Sequence, residues 1–590
     1  MELVHSILNE KIKKQIADEE QIGFLLTNKE GGYCWLNEKT KSRYQGIFFN
    51  IQGNMYKVIE EIKTNGGKIK SIRNNFFNIE VKREKLTEIF FMPFHLNTLV
   101  YELNKEGEIE IILDIRESYS CPEWNRFFNI YEEDSKIIIK YNHNGFEAYL
   151  VISTIPSLNY KVIGKWFKRE YSYDKKRKSP PFERYVYSAI RTKSKRIVLS
   201  FSNNKEEAVK ENTQVLNNLK TLKEKQKKFF TELYKKNSII KRIKNKKIVL
   251  AYISALSSLE NLIIEKENKR GIYAGLPWFF QFWTRDELIS IKALSLNKKN
   301  NLIKDIINKT LKNIRKDGTI PNMFPDSSLS SADAIGWLFK GIELLKREEI
   351  KKIKENLKRL VDLLIEHQTK DYFAINKALE TWMDSSYNND TREGVRIEIQ
   401  AFRLNIYRFM YNLTKETRYL EYEIKLKEKV RRHLWNGMIL ADGLNDYTIR
   451  PNIFIAAYTY PFLLTIDEWE RCFENALSKL WLKWGGLSTI DKDNLLFSEE
   501  YSGEDNKSYH RGDSWFWLNN LSAIALHKTN KKKFKKYIKE ILNASTEEIL
   551  YKGAIGNASE LSSAKKLESN GCICQAFSNA LFIELVHELF

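Results

Sequence analysis

The feature that most constrains this fold is a change of hydrophobic period near residue 206. Before it, apolar residues form short runs rich in Ile, Val, Phe and Tyr, separated by turn sequences such as Gly66-Gly67. Beyond Ile239, apolar residues recur with the helical period of 3.6 for most of the remaining chain. Strands in one part and helices in another predict a multidomain protein of the β plus α kind, and we find no βαβ alternation.

The first part predicts an antiparallel β-sandwich domain over residues 1–205. Its short runs and regular turn signals are typical of such a sandwich. The predicted strands lie at 46–51, 76–82, 86–92, 98–103, 108–113, 136–141, 148–155 and 196–201. Residues 206–238, rich in Lys and Glu with helical spacing, predict a helical linker.

Residues 239–590 predict a barrel of paired helices. About twelve helices can be drawn, and six helical hairpins can close into an (α/α)6 barrel. They lie near 242–266, 285–297, 301–315, 330–346, 348–368, 397–412, 417–434, 452–460, 466–480, 513–527, 531–547 and 572–589. The loops between them carry tryptophans beside charged residues, which favours function there.

Composition narrows the classes of function. The formal net charge is +21, but Lys is scattered among 76 acidic residues, so we expect a solvated surface and no nucleic-acid partner. No apolar run approaches the roughly 20 residues of a membrane helix, and no secretory signal is evident. Five cysteines in a chain of this length predict neither a disulfide framework nor a zinc site. We therefore expect a cytoplasmic protein without metal or cofactor.

Two loop regions carry candidate sugar-binding residues. Residues 273–287 combine Trp278 and Trp283 with Arg285 and Asp286, which offer flat apolar faces and polar partners for vicinal hydroxyls. A helix cap with a surface ion pair explains Arg285-Asp286 equally. Residues 509–517 hold His510, Trp515 and Trp517, and a capped helix start with core tryptophans explains these.

Two further regions carry candidate catalytic carboxylates. Asp384 follows Trp382-Met383, and burial beside such residues raises a carboxyl pKa, which suits a general acid. Glu398 follows in the next segment, and Glu560 lies in a loop before the last helix. The alternatives are that Asp384 caps a turn, that Glu398 begins a helix, and that Glu560 is a solvated surface residue. Two carboxylates with stacking aromatics are the equipment of a glycosidase.

The motifs resemble a known family along nearly the whole chain. Phe282-Trp-Thr-Arg-Asp286 is similar to the active-site loop of glucoamylases and their (α/α)6 relatives. Further segments resemble the amylo-α-1,6-glucosidase part of glycogen debranching enzymes. They are Thr381-Trp-Met-Asp384, Val395–Ala401, Ile449–Asn452, Tyr509-His-Arg-Gly512, Gly571-Cys572 and Gln575-Ala576. Leu26–Tyr33 and Ser42–Gly46 resemble the opening of the archaeal and bacterial debranching enzymes.

This sequence also departs from the family pattern. Lys29 stands where the family has Gly, and Gln45 where it usually has His. The residues after Glu560 differ from the usual motif, as do Asp513, Ser514 and Phe516.

The resemblance implies an inverting glycosidase that removes α-1,6-linked glucose stubs from glycogen or a related branched α-glucan. Asp384 would be the general acid and Glu560 the general base. The substrate-binding residues would be Trp278, Trp283, Arg285, Asp286, Trp382, Glu398, His510 and Trp515. No run of alternating strands and helices supplies a glucanotransferase barrel, so shortening of branches would need another protein.

Other classes of function stay open at this stage. A glucoamylase, a trehalase or a phosphorylase of the same barrel class would act on another α-glucoside, and phosphorolysis would need no general base. A glucan-binding or nucleic-acid-binding protein with a decayed site is the non-enzyme alternative. The presence of Asp384, Glu560, Arg285 and Asp286 together disfavours it. The oligomeric state stays undetermined.

Overall fold

The computed structural model describes residues 1–7, 10–16, 22–120, 122–156, 158–266, 269–325 and 327–590. The chain forms two compact units. The first comprises Met1–Lys269 and Ile549–Asn557, and the second comprises Arg270–Glu548 and Ala558–Phe590. Cys121 lies outside the described residues, and the other four cysteines are buried.

The first unit is built mainly of β-strands. They are β1 (Glu2–Ile7), β2 (Glu10–Gln15), β3 (Gly23–Thr27), β4 (Tyr33–Asn37), β5 (Gly46–Ile51), β6 (Asn54–Thr64), β7 (Ile69–Asn74), β8 (Ile79–Arg83), β9 (Thr87–Phe91), β10 (Thr98–Glu117), β11 (Arg126–Glu133), β12 (Lys136–His143), β13 (Phe146–Ile155), β14 (Tyr160–Glu170), β15 (Glu183–Ser202) and β16 (Ile263–Lys266). Its helices are α1 (Ser172–Lys176), α2 (Lys205–Lys235) and α3 (Lys246–Leu262).

Two hydrogen-bonded layers share the long strands β10 and β15. One layer runs β11-β12-β13-β15-β10-β9-β8-β7-β1-β2, and the other runs β14-β15-β10-β6-β5-β4-β3. The halves of β10 separate at a register shift between Glu102 and Gly107, so each half pairs within a different layer. Pairing is antiparallel except between β1 and β7.

Aromatic side chains join the two layers. Phe24 contacts Phe90 with ring centroids 4.9 Å apart, and Phe49 stacks on Phe201 at 6.3 Å. Each pair links a strand of one layer to a strand of the other, so the apolar face of each layer is buried against its neighbour. The predicted antiparallel sandwich is confirmed.

Helix α2 packs on the sandwich and is not an isolated connector. Val215 and Leu219 are buried against strands β9, β10 and β15. The buried amide of Asn212 donates to the carbonyls of Val151 (3.2 Å) and Val198 (3.0 Å). The predicted linker is therefore helical, but it and α3 group with the strands. The division of the chain near residue 269 consequently differs from the predicted boundaries at 205/206 and 238/239.

The second unit is helical. Its helices are α4 (Thr284–Leu296), α5 (Asn300–Lys312), α6 (Ala332–Ile342), α7 (Arg347–Lys352), α8 (Lys354–His367), α9 (Ile397–Thr414), α10 (Thr417–His433), α11 (Asn452–Thr459), α12 (Ile466–Leu480), α13 (Phe516–Asn530), α14 (Lys535–Tyr551) and α15 (Ala576–Leu589). The last three residues of α14 group with the first unit.

In the described part of the chain, six of these helices form a closed ring. Contacts run from α4 to α6, α9, α11, α13, α15 and back to α4. These six are buried on nearly every side, whereas α5, α8, α10 and α12 bury one face only. Each of those outer helices contacts the fold through a neighbouring ring helix or loop, as α5 contacts α4 and α10 contacts α9. The predicted (α/α)6 barrel is confirmed.

Among the described residues, no helix has the length and apolar character needed to cross a membrane. Within those same ranges, no group of three or more His, Cys, Asp or Glu side chains has the arrangement of a metal site.

Candidate active site

The site is built by the loops that precede the ring helices. Short antiparallel ladders join these loops: Gly275–Leu276 pairs with Cys574–Gln575, and Phe282–Trp283 pairs with Met323–Phe324. A third ladder joins Ser514–Trp515 to Leu561–Ser562. Residues distant in sequence are thereby held at the same end of the ring.

A cavity of about 480 Å³ opens among these loops. Two predicted catalytic carboxylates and several predicted sugar-binding residues line it. The lining comprises Ala274, Phe279, Trp283, Arg285, Asp286, Ile289, Asn322, Leu329, Leu379, Trp382, Asp384, Ser385, Ser386, Asn506, Tyr509, Trp515, Trp517, Glu560, Gln575 and Phe577. Mixed aromatic and polar walls of this kind fit a small polar ligand with flat apolar faces.

Arg285, in the first turn of α4, connects two carboxylates. Its Nε and Nη2 donate to the two oxygens of buried Asp333 at 2.9 and 3.1 Å. Its Nη1 donates to Oδ2 of Asp384 at 3.0 Å. Burial alone would lower the pKa of Arg285, but the two carboxylates outweigh it and raise that pKa. The guanidinium is therefore a fixed positive charge at the wall of the cavity.

Asp384 faces the cavity with 30% of its side chain exposed. Burial raises the pKa of its carboxyl, Arg285 opposes that rise, and Asp333 adds to it. The net direction is upward, which favours the protonated form nearer to neutral pH than for an ordinary aspartate.

The carboxyl of Asp286 has a strongly raised pKa. It is 5% exposed, and Oδ1 accepts a hydrogen bond from Nε2 of Gln575 at 2.8 Å. Burial raises the pKa of Asp286 to about 8, and the nearby Glu560 and Asp384 also contribute to the rise. At pH 7 its carboxyl is consequently neutral and able to donate a hydrogen bond.

Glu560 is held by two donors from different segments. The Tyr509 hydroxyl donates to Oε1, and the backbone N–H of Cys572 donates to Oε2 at 2.9 Å. Its own backbone N–H donates to the Cys572 carbonyl at 2.8 Å. Gly571 has a φ of +68°, and a Cβ there would lie 2.2 Å from Oε2 of Glu560. A glycine is thus required beside this carboxylate.

A cluster of aromatic rings backs the cavity. Trp382 meets Trp515 and Trp517 edge-on, with centroids 5.5 and 5.2 Å apart. The indole N–H of Trp382 donates to Oδ1 of Asn452 at 2.7 Å, which fixes the ring. Trp283 meets Phe279 edge-on at 5.6 Å on another part of the lining.

Three of the predicted substrate-binding residues lie outside the lining. Trp278 is buried, with 8% exposed. His510 stacks on Trp515 at 5.1 Å, and its Nδ1 lies 2.7 Å from the Ser385 hydroxyl. Burial lowers the pKa of His510 well below its usual value, so the ring is neutral at pH 7.

Glu398 is the third, and it is fully buried behind the loop that carries Asp384. Both of its oxygens accept hydrogen bonds from Arg392, at 2.7 and 3.0 Å. Arg392 also binds Asp442 with two hydrogen bonds of 2.9 Å and the Thr381 hydroxyl at 2.9 Å. Glu398 therefore supports the backbone next to Trp382 and Asp384.

Several lining residues were not singled out from the sequence. Tyr509 and Gln575 occur in the quoted motifs, but only their contacts with Glu560 and Asp286 indicate their place in the site. Asp333, which orients Arg285, lies in a helix start that carries no distinctive motif. Phe279 and Asn506 come from loops whose course a sequence pattern does not specify.

A ring of paired helices whose loops gather carboxylates, a fixed guanidinium and aromatic rings defines a glycoside hydrolase of the glucoamylase-like class. The model of the amylo-alpha-1,6-glucosidase family matches residues 249–584. The chain belongs to that family.

A crystal structure of a bacterial glucoamylase complexed with acarbose is similar to this chain, with a TM-score of 0.62 and 11% sequence identity. The match covers 97% of this chain and 96% of that chain, so the likeness of fold extends over both units. No curated protein matches the sequence.

Proposed function

We propose that this protein is an amylo-α-1,6-glucosidase that removes single α-1,6-linked glucose residues from a branched α-glucan such as glycogen, with inversion of the anomeric carbon. The observation that carries the proposal is the presence of Asp384 and Glu560 in one cavity of a chain of this family. The activity would be cytoplasmic and would require no cofactor.

Asp384 is the proposed general acid. Its raised pKa favours the protonated carboxyl more than in an ordinary aspartate, and its partial exposure would let it reach the glycosidic oxygen. Arg285 orients it and would stabilise the carboxylate that forms once the proton has passed to the leaving sugar. Proton donation in the transition state is typically worth roughly 10²–10⁴-fold in rate.

Glu560 is the proposed general base. Each of its oxygens accepts one hydrogen bond, from Tyr509 and from Cys572, an arrangement that suits the acceptor-only carboxylate. The carboxylate would take a proton from a water molecule that attacks the anomeric carbon. An inverting mechanism needs space for that water between base and sugar.

The remaining lining residues would hold the terminal glucose. The neutral carboxyl of Asp286 would donate to a sugar hydroxyl, and Gln575 fixes its other side. Trp283, Trp382 and Trp515 would supply the flat apolar walls. We assign Glu398 and His510 a positioning role, since both support the loop of Asp384 from behind.

Proton NMR of the anomeric signals tests this proposal. Purified protein is incubated with a glycogen phosphorylase limit dextrin, with isomaltose, maltose and trehalose alongside, each with and without phosphate. We expect β-glucose to be released first from the limit dextrin, with the α-anomer following by mutarotation, and no dependence on phosphate.

The variant Glu560→Gln separates the base from the fold. It should slow hydrolysis strongly but leave sugar binding nearly unchanged, because the lost interaction belongs to the transition state. Initial release of α-glucose would exclude inversion. Faster turnover of maltose or trehalose than of the dextrin would reassign the substrate, and phosphate-dependent release of glucose 1-phosphate would reassign the reaction.

A further inference from the structure

An aromatic cluster lies at the surface of the first unit, formed by residues that take no part in the cavity. We call the set Phe128, Trp166, Tyr185 and Tyr187 the aromatic platform. Phe128 stacks on Tyr187 with centroids 4.6 Å apart, and Trp166 lies 5.0 Å from Tyr187 and 5.6 Å from Phe128. The rings come from β11, β14 and β15, so they do not follow from one local sequence motif.

The platform leaves large apolar faces in water. Trp166 is 38% exposed and Tyr185 is 46% exposed, and Trp124 on the preceding loop is 80% exposed. Trp166 stands directly opposite Tyr187, and Lys168 stands opposite Tyr185, so both tyrosines project from the same face of the sheet. Contiguous exposed aromatics of this kind mark a binding surface.

A rigid polar layer supports the platform from below. The guanidinium of buried Arg126 lies 4.7 Å from the Trp166 ring centroid and donates to the Tyr185 carbonyl at 2.6 Å. Arg126 is itself held by the buried carboxylate of Asp114 at 2.9 Å. The Trp166 ring and the backbone of Tyr185 are therefore held in place before any ligand arrives, which lowers the entropic cost of binding.

A bulge interrupts the strand that carries Trp166. The pairing of β14 with β15 shifts register between Val162 and Lys165, and the intervening Gly164 has a φ of +65°. Glycine is favoured at this position because of that backbone conformation.

The groups around the platform favour a neutral polyhydroxylated ligand. Lys168 pairs with Glu183 at 2.6 Å, so charges of both signs and several hydrogen-bonding groups border the rings. Such a border offers donors and acceptors to sugar hydroxyls, and the rings offer flat faces to the apolar side of a pyranose.

We propose that the aromatic platform is a second carbohydrate-binding surface, which holds an α-glucan chain of the substrate polymer. The choice of an α-glucan rests on the proposed function of the cavity. The platform would raise the local concentration of branched polymer by multivalent attachment, without taking part in bond cleavage.

Affinity electrophoresis in gels containing glycogen tests the proposal. The double variant Trp166→Ala, Tyr185→Ala is compared with wild type and with Tyr447→Ala, an aromatic of the second unit that is more exposed than either. We expect the affinity for glycogen to fall about tenfold in the double variant and to be unchanged in the control. Turnover of a short soluble α-1,6-glucoside should be unchanged in both, while release of glucose from dilute polymer should slow in the double variant alone.

The possible failures can be told apart. Unchanged retardation of the double variant, with an intact melting transition, would overturn the platform while leaving the proposed hydrolysis in place. Loss of retardation without hydrolysis of any α-glucoside by wild type would support the platform and contradict the proposed function. Equal retardation in a cellulose-derivative gel would overturn the α-glucan assignment. A wild-type dimer that becomes monomeric in the double variant would overturn the platform in favour of self-association.

Discussion

At the scale of single residues, Arg285 is positioned before a substrate binds. Asp333, the Ser331 hydroxyl and the Thr381 carbonyl take up its Nε and Nη2, so Nη1 has a fixed direction toward Asp384. A lysine would carry the same charge but could not satisfy these planar contacts together. The orientation of Asp384 therefore depends on a network that extends into the base of α6.

Replacing Asp384 by Asn should lower turnover by roughly 10²–10⁴-fold without unfolding the protein, because the amide cannot donate an acidic proton. The amide oxygen can still accept from Arg285, so the loop should keep its position. Initial rates on the limit dextrin and the melting temperature are the measurements. Asp371→Asn, on an exposed surface pair with Lys429, is the control. Activity within about twofold of wild type would remove Asp384 from the acid role.

Replacing Asp286 by Asn should stabilise the protein increasingly as the pH rises from about 4 to about 8. The folded-state pKa of about 8 lies above the unfolded value of roughly 3.9, so the folded state binds more protons in this range. The protonated carboxyl of Asp286 contributes its full stabilisation below the unfolded-state pKa. This contribution is lost as the pH rises through the folded-state pKa, by at most about 1.4 kcal/mol per pH unit. Asparagine does not titrate, so the variant lacks this dependence of stability on pH.

Urea unfolding at pH 5 and pH 7.5 measures this difference. Asp493→Asn serves as the control, because the Asp493 side chain is 76% exposed and pairs with Lys479 at the surface. Activity of Asp286→Asn should fall, because the amide no longer offers the same hydrogen bond to a sugar hydroxyl. A free energy gain that is identical at both pH values would contradict the raised pKa.

Residue type and motif predict several side chains that the structure brings together. Arg285, Asp286, Asp384 and Glu560 share the cavity. Trp278, His510 and Glu398 are buried outside its lining. The direction of a side chain depends on tertiary packing, which a linear pattern does not contain.

At the scale of elements, the helical period located most barrel helices to within a few residues. The ring helices α13 and α15 begin at Phe516 and Ala576, a few residues later than predicted, because the preceding residues form two-residue ladders with distant loops. Strand β14 is absent from the predicted strands, and exposed lysines and Gly164 interrupt its apolar residues. Pairing with β15 stabilises it instead.

The turn that precedes α15 should be intolerant of any side chain at Gly571. Gly571→Ala combines a positive φ with a Cβ located 2.2 Å from Oε2 of Glu560, so we expect lower stability and at least a tenfold loss of activity. Gly437→Ala provides a matched control, since Gly437 has a φ of +90° with nothing within 4 Å of the added carbon. Both variants carry the backbone cost of roughly 1–2 kcal/mol.

The comparison of the two glycine variants isolates the displacement of Glu560. Melting temperature reports the shared backbone cost, and kcat on the limit dextrin reports the position of the carboxylate. Equal loss of activity in both variants would mean that Gly571 serves the backbone alone and does not shape the base.

At the scale of the whole molecule, the charge of +21 should not produce specific nucleic-acid binding. A basic surface without a dedicated groove gains affinity only from counterion release, which weakens steeply as salt rises. Fluorescence anisotropy with double-stranded DNA should therefore show weak binding at about 50 mM salt and none at about 200 mM. Sequence-selective nanomolar binding at physiological salt would contradict the glucosidase proposal.

The division of the chain into units could not be foreseen from the hydrophobic period. The period changes near residue 206, but α2 and α3 bury their apolar faces within the first unit. Residues 549–557 join that unit as well, through backbone hydrogen bonds between Gly23 and both Gly553 and Ile555. A boundary defined by contacts between distant segments leaves no local signal in composition.

That return of residues 549–557 has a consequence for synthesis of the protein. A ribosome delivers the chain from the N-terminal end, and domains generally fold as units in that order. Here the first unit stays incomplete until residue 557 has left the exit tunnel, and Glu560 follows only three residues later. The proposed general base Glu560 and the ring helix α15 are therefore synthesised after every segment of the first unit.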